Sequence, residues 1–476
     1  MSRVDELQKK YPSLPREIIV KWETLRHGIR DSDVLYKVGL WRRAAGGYQS
    51  LDHGVTAEEI AKQRPESVRP GYVLLPGPYY MKNGLGARIE RDPASPYQIR
   101  ESSPGRYALY EGEDKIEDVY FSNPRHWVDD PENEPRTSRG TPVTSLVTLN
   151  RRCFQIAPLR HCEYFDKGIQ CKFCNYNSTH DQASAIGSKH AVSLNLDETL
   201  EAYKILGAGV RLIEGRYQSG GISSREKEAN LHFRFAEAVA KATPYTPHLT
   251  LGTQPVSKKD LVRLRDTGHA AIYYAMEVWE PEIFAEVCPG KNQRDGFEGY
   301  KEACEEAVEV FGVGNVAVNL VGGVSLMAAS GHKTWQESRD SMIEALRWLI
   351  KTGVFPTFHC VRLGAGSIYG DNRANAAKVP PTEYILDSAL AHHELMKEYG
   401  RWETLDKLLA CPLDCLAHFY AGEVGIVDVA GNPANWLKDT VPDDGNWLLK
   451  FMESTEATGW RPFIVGDRGQ GTQTDP

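Results

Sequence analysis

Cys162-Glu-Tyr-Phe-Asp-Lys-Gly-Ile-Gln-Cys171-Lys-Phe-Cys174 places three thiols within thirteen positions. The apolar stretch Ser145–Ile156 just before it reads as a strand. A loop that leaves the first strand of a βα series lies at the end where ligands gather. Three thiolates can hold three irons of a [4Fe–4S] cube and leave the fourth iron open to a small molecule. Cys171-x-x-Cys174 supplies two ligands from one tight turn, and Gly168 lets the longer span fold back. Structural zinc is the competing reading, with His161, His180 or Cys153 as the fourth ligand it requires.

Downstream, short apolar runs alternate with amphipathic ones. Strands are expected at Val210–Glu214, His248–Gly252, Ala270–Glu277, Asn315–Val321 and Pro356–Leu363. Helices are expected between and after them at Leu196–Leu206, Glu226–Ala242, Lys258–Thr267, Gly299–Phe311 and Ser338–Thr352. Such alternation argues for parallel strands with crossover helices. The fold class is α/β, with six units suiting a partial (β/α)6 TIM-like barrel over residues 146–375; a doubly wound sheet is the other solution. Residues 1–145 read as an N-terminal α+β extension that could cap a substrate site, opening with a helix at Pro15–Arg26 and holding a hairpin over Tyr107–Phe121. Residues 376–476 read as mainly helical, as in Pro381–Tyr399 and Trp402–Leu409, with a mobile tail from Gly466.

Of the 476 residues, 41% are hydrophobic and 25% charged, which excludes a disordered chain. The net charge is −8 and Lys and Arg form no block, so nucleic acid and anionic membranes are not expected partners. Met1 to Lys10 lacks the apolar core of a secretion signal, and the apolar run 316–329 is broken by Asn319, Gly322 and Gly323. A cytoplasmic protein is expected. Nine cysteines are too sparse for a disulfide scaffold, and the clustering of three points to metal or redox chemistry. There is no phosphate-binding Gly-x-x-x-x-Gly-Lys loop, no serine nucleophile elbow and no His-Glu-x-x-His helix.

A three-cysteine loop ending Cys-x-aromatic-Cys after the first strand of a βα barrel resembles the radical S-adenosylmethionine (SAM) superfamily. The resemblance spans about residues 146 to 370. Leu212 to Gly221 stands where that superfamily has its second-strand glycine motif, Tyr274 to Lys291 resembles its fourth-strand segment, and Ala317 to Gly323 its fifth-strand glycine motif. The spacing departs from the common pattern, with eight residues between the first two cysteines where three are usual. Cys153 is the alternative first ligand, at the cost of a longer excursion.

The resemblance implies a [4Fe–4S] cluster on Cys162, Cys171 and Cys174, with SAM on the open iron. It implies that Phe173 lies near adenine or shields the cluster, and that Glu214, Gly220 and Gly221 line the cofactor. Glu277 would meet the SAM ribose or amino group, Arg294 its carboxylate, Asn319 and Gly322 its adenine, and Arg362 either SAM or an anionic substrate. The implied activity is reductive cleavage of SAM and hydrogen abstraction from a small molecule, amino-acid-like or a natural-product or cofactor precursor. The implied electron donor is a flavodoxin or ferredoxin. A peptide substrate and an aminocarboxypropyl-radical transfer are alternatives within the superfamily, and a zinc-stabilised binding protein is the non-enzymatic one. Cys411 and Cys415 could join Cys360 in an auxiliary cluster, although buried thiols are commoner.

Overall fold

A computed structural model describes residues 1–35 except 15, short pieces between 40 and 90, and then 91–121, 134–150, 153–178, 192–207, 214–218, 220–242, 248–267 and 269–401, with 62, 181 and 404 as isolated positions. Cys411, Cys415, His180, the helix expected at 402–409 and the expected tail lie outside the described residues.

The N-terminal part contains helices α1 (Arg3–Lys10) and α2 (Arg16–His27). It also holds strands β1 (Leu40–Ala44), β2 (Val68–Arg69), β3 (Tyr72–Pro76), β4 (Tyr79–Tyr80), β5 (Gly86–Ala87), β6 (Tyr97–Ser103), β7 (Arg106–Glu111) and β8 (Asp114–Phe121). These pair in two sheets, ordered β1-β3-β2 and β5-β4-β8-β7-β6, and the β7–β8 hairpin is the one legible in the sequence.

The main sheet has seven strands: β9 (Thr148–Asn150), β10 (Cys153–Ile156), β11 (Glu214–Gln218), β12 (His248–Thr253), β13 (His269–Glu277), β14 (Val316–Gly322) and β15 (Phe355–Cys360). They lie in sequence order from one edge to the other. β10 to β15 are parallel, and β9 runs antiparallel to β10. The helices between them are α3 (Glu163–Asp166), α4 (Leu196–Gly207), α5 (Arg225–Ala242), α6 (Lys258–Asp266), α7 (Pro281–Val287), α8 (Pro289–Arg294), α9 (Gly296–Phe311) and α10 (Trp335–Thr352). α11 (Ile368–Asp371) and α12 (Thr382–Glu398) follow β15. Every residue of β14 is buried, as expected of an inner parallel strand covered on both faces. α10 shows how local sequence sets these bounds. Thr334 and Glu337 form a capping box at its start, and Gly353 at φ 99° turns the chain out at its end.

Two sequence expectations shift. The single strand at Ser145–Ile156 becomes a 3-10 turn (Val143–Ser145) and two antiparallel strands, β9 and β10, the charged pair Arg151-Arg152 interrupting the apolar run of the sequence. The second parallel strand runs on to Gln218, so Glu214 opens it rather than closing it.

The N-terminal helices pack on β15 and on the start of α12. Trp22 stacks on Phe358 of β15 at 6.5 Å between ring centroids. Tyr11 donates to Asp387 at 2.6 Å, Arg3 to Glu383 at 2.6 Å, and Arg26 to the Pro380 carbonyl at 2.6 Å. Glu23, buried in α2, accepts from Tyr97 at 2.9 Å and from Thr382. No helix among the described residues is long and apolar enough to cross a membrane.

Because Trp22 is only 3% exposed, Trp22→Ala is expected to cost about 3–5 kcal/mol of stability, the range for buried aromatic truncation. Urea unfolding followed by far-UV circular dichroism measures it, and a loss under 1 kcal/mol contradicts this docking.

Candidate active site

The cysteine loop leaves the C-terminal end of β10 and is tied down from three sides. From the second strand, the Gly220 N–H donates to the Leu159 carbonyl at 3.0 Å and the Glu163 N–H to the Gly221 carbonyl at 2.9 Å. From the fourth unit, the Lys172 N–H donates to Val287 at 2.9 Å and the Gly290 N–H to Ile169 at 2.8 Å. From the sixth, the Tyr369 N–H donates to Lys172 at 2.9 Å and the Ser178 hydroxyl to Gly366 at 2.8 Å. Asn177 closes the loop on itself, accepting from the Cys162 N–H at 2.9 Å.

Glycine is required where these backbones meet. A Cβ on Gly220 would overlap the His161 carbonyl oxygen, and one on Gly290 would fall 2.6 Å from the Tyr164 ring. The Tyr164 hydroxyl reaches Gln254 at 2.7 Å. A Cβ on Gly221 would lie 3.1 Å from the Cys162 sulfur. The glycine pair thus admits the loop, with Gly221 lying against the Cys162 sulfur. Gly168, at φ 65°, makes the return turn within it.

Cys162 and Cys171 are buried and Cys174 half-buried, all with free thiols. Burial pushes the Cys162 thiol up to about 11 and raises Cys174 above its ordinary range. Cys171 is drawn down by a hydrogen bond from Cys288. The three thiols feel one another's charge, so ionised they form one anionic cluster. Such soft, mutually repelling, buried donors fit a cationic iron–sulfur group. Among the described residues, no three His, Cys, Asp or Glu side chains converge tightly enough for a single metal ion. Cys153, the alternative ligand, starts β10 at the opposite end of the strand. Phe173 is half-buried and packs on the core.

Beside the loop, β13 ends in an irregular turn. Glu277 and Glu280 both adopt positive φ, 73° and 82°, and are the non-glycine residues that do so among those described. Each such residue costs about 1–3 kcal/mol and persists only where its surroundings hold it. Glu277 is buried and accepts from Lys291 at 2.8 Å and from Asn319 at 3.2 Å, while Thr357 donates to Asn319 at 3.2 Å. A carboxylate, an amide and a hydroxyl thus run across three neighbouring strands. Burial opposes the Lys291 ammonium, but Glu277 outweighs it and holds the lysine well above its usual range.

Other expected site residues lie elsewhere. Glu214 pairs with Cys153 and His248 at the N-terminal end of its strand, away from the loop, because the strand extends beyond it. Arg294 is not open to a carboxylate ligand: it is buried against Glu228, Asp295 and the Pro255 carbonyl. Arg362 pairs with Glu90 of the N-terminal part. Gly322 sits at the end of β14, but a Cβ there would fall 2.7 Å from Tyr384 of α12, which occupies that side. Cys288 and Lys291 went unassigned in the sequence, although the Cys-Pro-Gly-Lys run contains both.

No protein-family profile matches the chain. It is similar to bacteriochlorophyllide c C-7(1)-hydroxylase of Chlorobaculum limnaeum, 25% identical over 238 residues, or 46% of this chain. The match spans about half of that relative, 55% of its length. A crystal structure of methylornithine synthase (PylB) aligns at 17% identity and a TM-score of 0.36, covering 52% of this chain and 63% of that one. The resemblance to the radical SAM superfamily stands.

Gly220→Ala is expected to lower the melting temperature and at least halve the iron taken up on anaerobic reconstitution. Gly299→Ala, at a helical position with only ordinary contacts, should change neither. Lys291→Met leaves Glu277 buried without its ion-pair partner and should cost about 3–5 kcal/mol in denaturant unfolding. Adding Glu277→Gln should recover part of that loss.

Proposed function

Taking the chain as an enzyme of the radical SAM superfamily, we propose that Cys162, Cys171 and Cys174 hold a [4Fe–4S] cluster that reductively cleaves SAM, and that hydrogen is then taken from a small-molecule substrate. The observation that carries this is the three-cysteine loop fixed by backbone hydrogen bonds at the C-terminal ends of six parallel strands. When bound, the cluster and SAM supply one-electron cleavage of the sulfonium and hydrogen-atom abstraction.

The chain's own residues prepare the site. The loop's three anchors fix the thiols before any ligand arrives, so little ordering is left for binding. Glu277 presents a carboxylate whose second oxygen and neighbouring Asn319 and Thr357 face a polar seam able to accept and donate to a ribose or amino group. Lys291 pairs with that carboxylate at 2.8 Å in its buried setting. Phe173 and the buried floor of β13 and β14 exclude water.

The sheet is read as a partial (β/α)6 barrel over 146–375, with residues 1–145 capping its mouth. The Arg362–Glu90 pair supports the cap, since it ties the loop after β15 to the N-terminal part. The relative's hydroxylation of a bacteriochlorophyllide is modification of a small molecule, which favours such a substrate over a peptide. The location is cytoplasmic and the electron donor a flavodoxin or ferredoxin.

Protein purified without air should be brown, bleach with dithionite and carry about four irons per chain. With SAM and dithionite it should release 5′-deoxyadenosine, and Cys171→Ala should abolish both the colour and the product. Colourless wild-type protein, or a fully active Cys171→Ala, overturns this function; 5′-methylthioadenosine as product replaces it with aminocarboxypropyl transfer.

A further inference from the structure

Resting on the cluster reading, we propose that Cys288 is a positioning residue for the metal centre: its thiol donates a hydrogen bond to the sulfur of Cys171 and sets how readily the cluster is reduced. The backbone register requires the two to face each other. Gly290 N–H donates to Ile169 at 2.8 Å and Lys172 N–H donates to Val287 at 2.9 Å. The two segments therefore run in opposite directions, with 169 beside 290 and 172 beside 287. Between those two bonds, 171 falls opposite 288, and the two buried thiols influence each other's ionisation.

Cys288 is held in place by the fold. It is fully buried, at the junction between α7 and α8. Its N–H donates to Phe284 at 2.8 Å, and Pro289 after it fixes the first turn of α8. The backbone thus leaves the side chain one direction, toward Cys171. The nearby charges are Lys291 and Glu277, which neutralise each other at 2.8 Å. A donor to a ligand sulfur favours the more negative, reduced cluster and raises its potential.

The test is a dye-mediated redox titration of anaerobically reconstituted protein, read by electron paramagnetic resonance, with iron counted in each sample. Cys288→Ala should keep the wild-type iron content. At a fixed poise its ratio of reduced to oxidised cluster should fall about tenfold, equivalent to about 59 mV for a one-electron couple. Cys288→Ser keeps a donor and should recover most of that ratio. An Ala variant with intact iron and an unchanged ratio overturns the proposal. Loss of iron on Cys288→Ala, as for Cys171→Ala, also overturns it, because Cys288 is then itself a ligand. Wild-type protein that takes up no iron overturns the parent reading and this one together.

Discussion

The site depends on one steric constraint: two stretches of main chain approach so closely at Gly220 and His161 that no side-chain carbon fits between them. That contact seats the cysteine loop on the end of the second parallel strand. The Gly290 contact does the same from the fourth unit, with the Tyr164 ring wedged between. Main-chain hydrogen bonds then fix the loop from both sides. Side chains can swing and backbones pinned at both ends cannot, so the thiol positions follow from the fold itself.

The turn after β13 works against local preference. Two glutamates take a conformation that glycine or asparagine would adopt more cheaply. The compensation is visible at Glu277, whose carboxylate is anchored by Lys291 and Asn319 from two different elements. Strain held by a buried ion pair at the mouth of a parallel sheet is a usual mark of a working site. Lys291, fourteen residues on, reaches back across the helix Pro281–Val287 to make that contact.

Much of this was legible in the sequence. Alternating apolar runs gave four of the six parallel strands, and their helices, close to their true bounds, since buried parallel strands and amphipathic helices leave strong periodic signals. The cysteine spacing marked the loop. Glycine roles were harder to read, because composition shows that a position lacks a side chain without showing what fills the space. Gly220, Gly221 and Gly322 make room for protein. Glu214 was misplaced because a strand's end is less legible than its existence. Arg294 and Arg362 have partners 66 and 272 positions away, Glu228 and Glu90, and no local pattern announces such pairs. Cys288 drew no attention since a lone thiol carries no spacing.

The packing of the first two helices on the last described one has a consequence for biosynthesis. Arg3 and Glu383 lie 380 positions apart. At ordinary rates of translation the ribosome needs roughly 20–75 s to make that length. Until Phe358 emerges, Trp22 lacks the ring it stacks on in the finished protein. The nascent chain is left to shelter that ring by chaperone or by temporary contacts, and a helix made long before its partner settles only when that partner arrives.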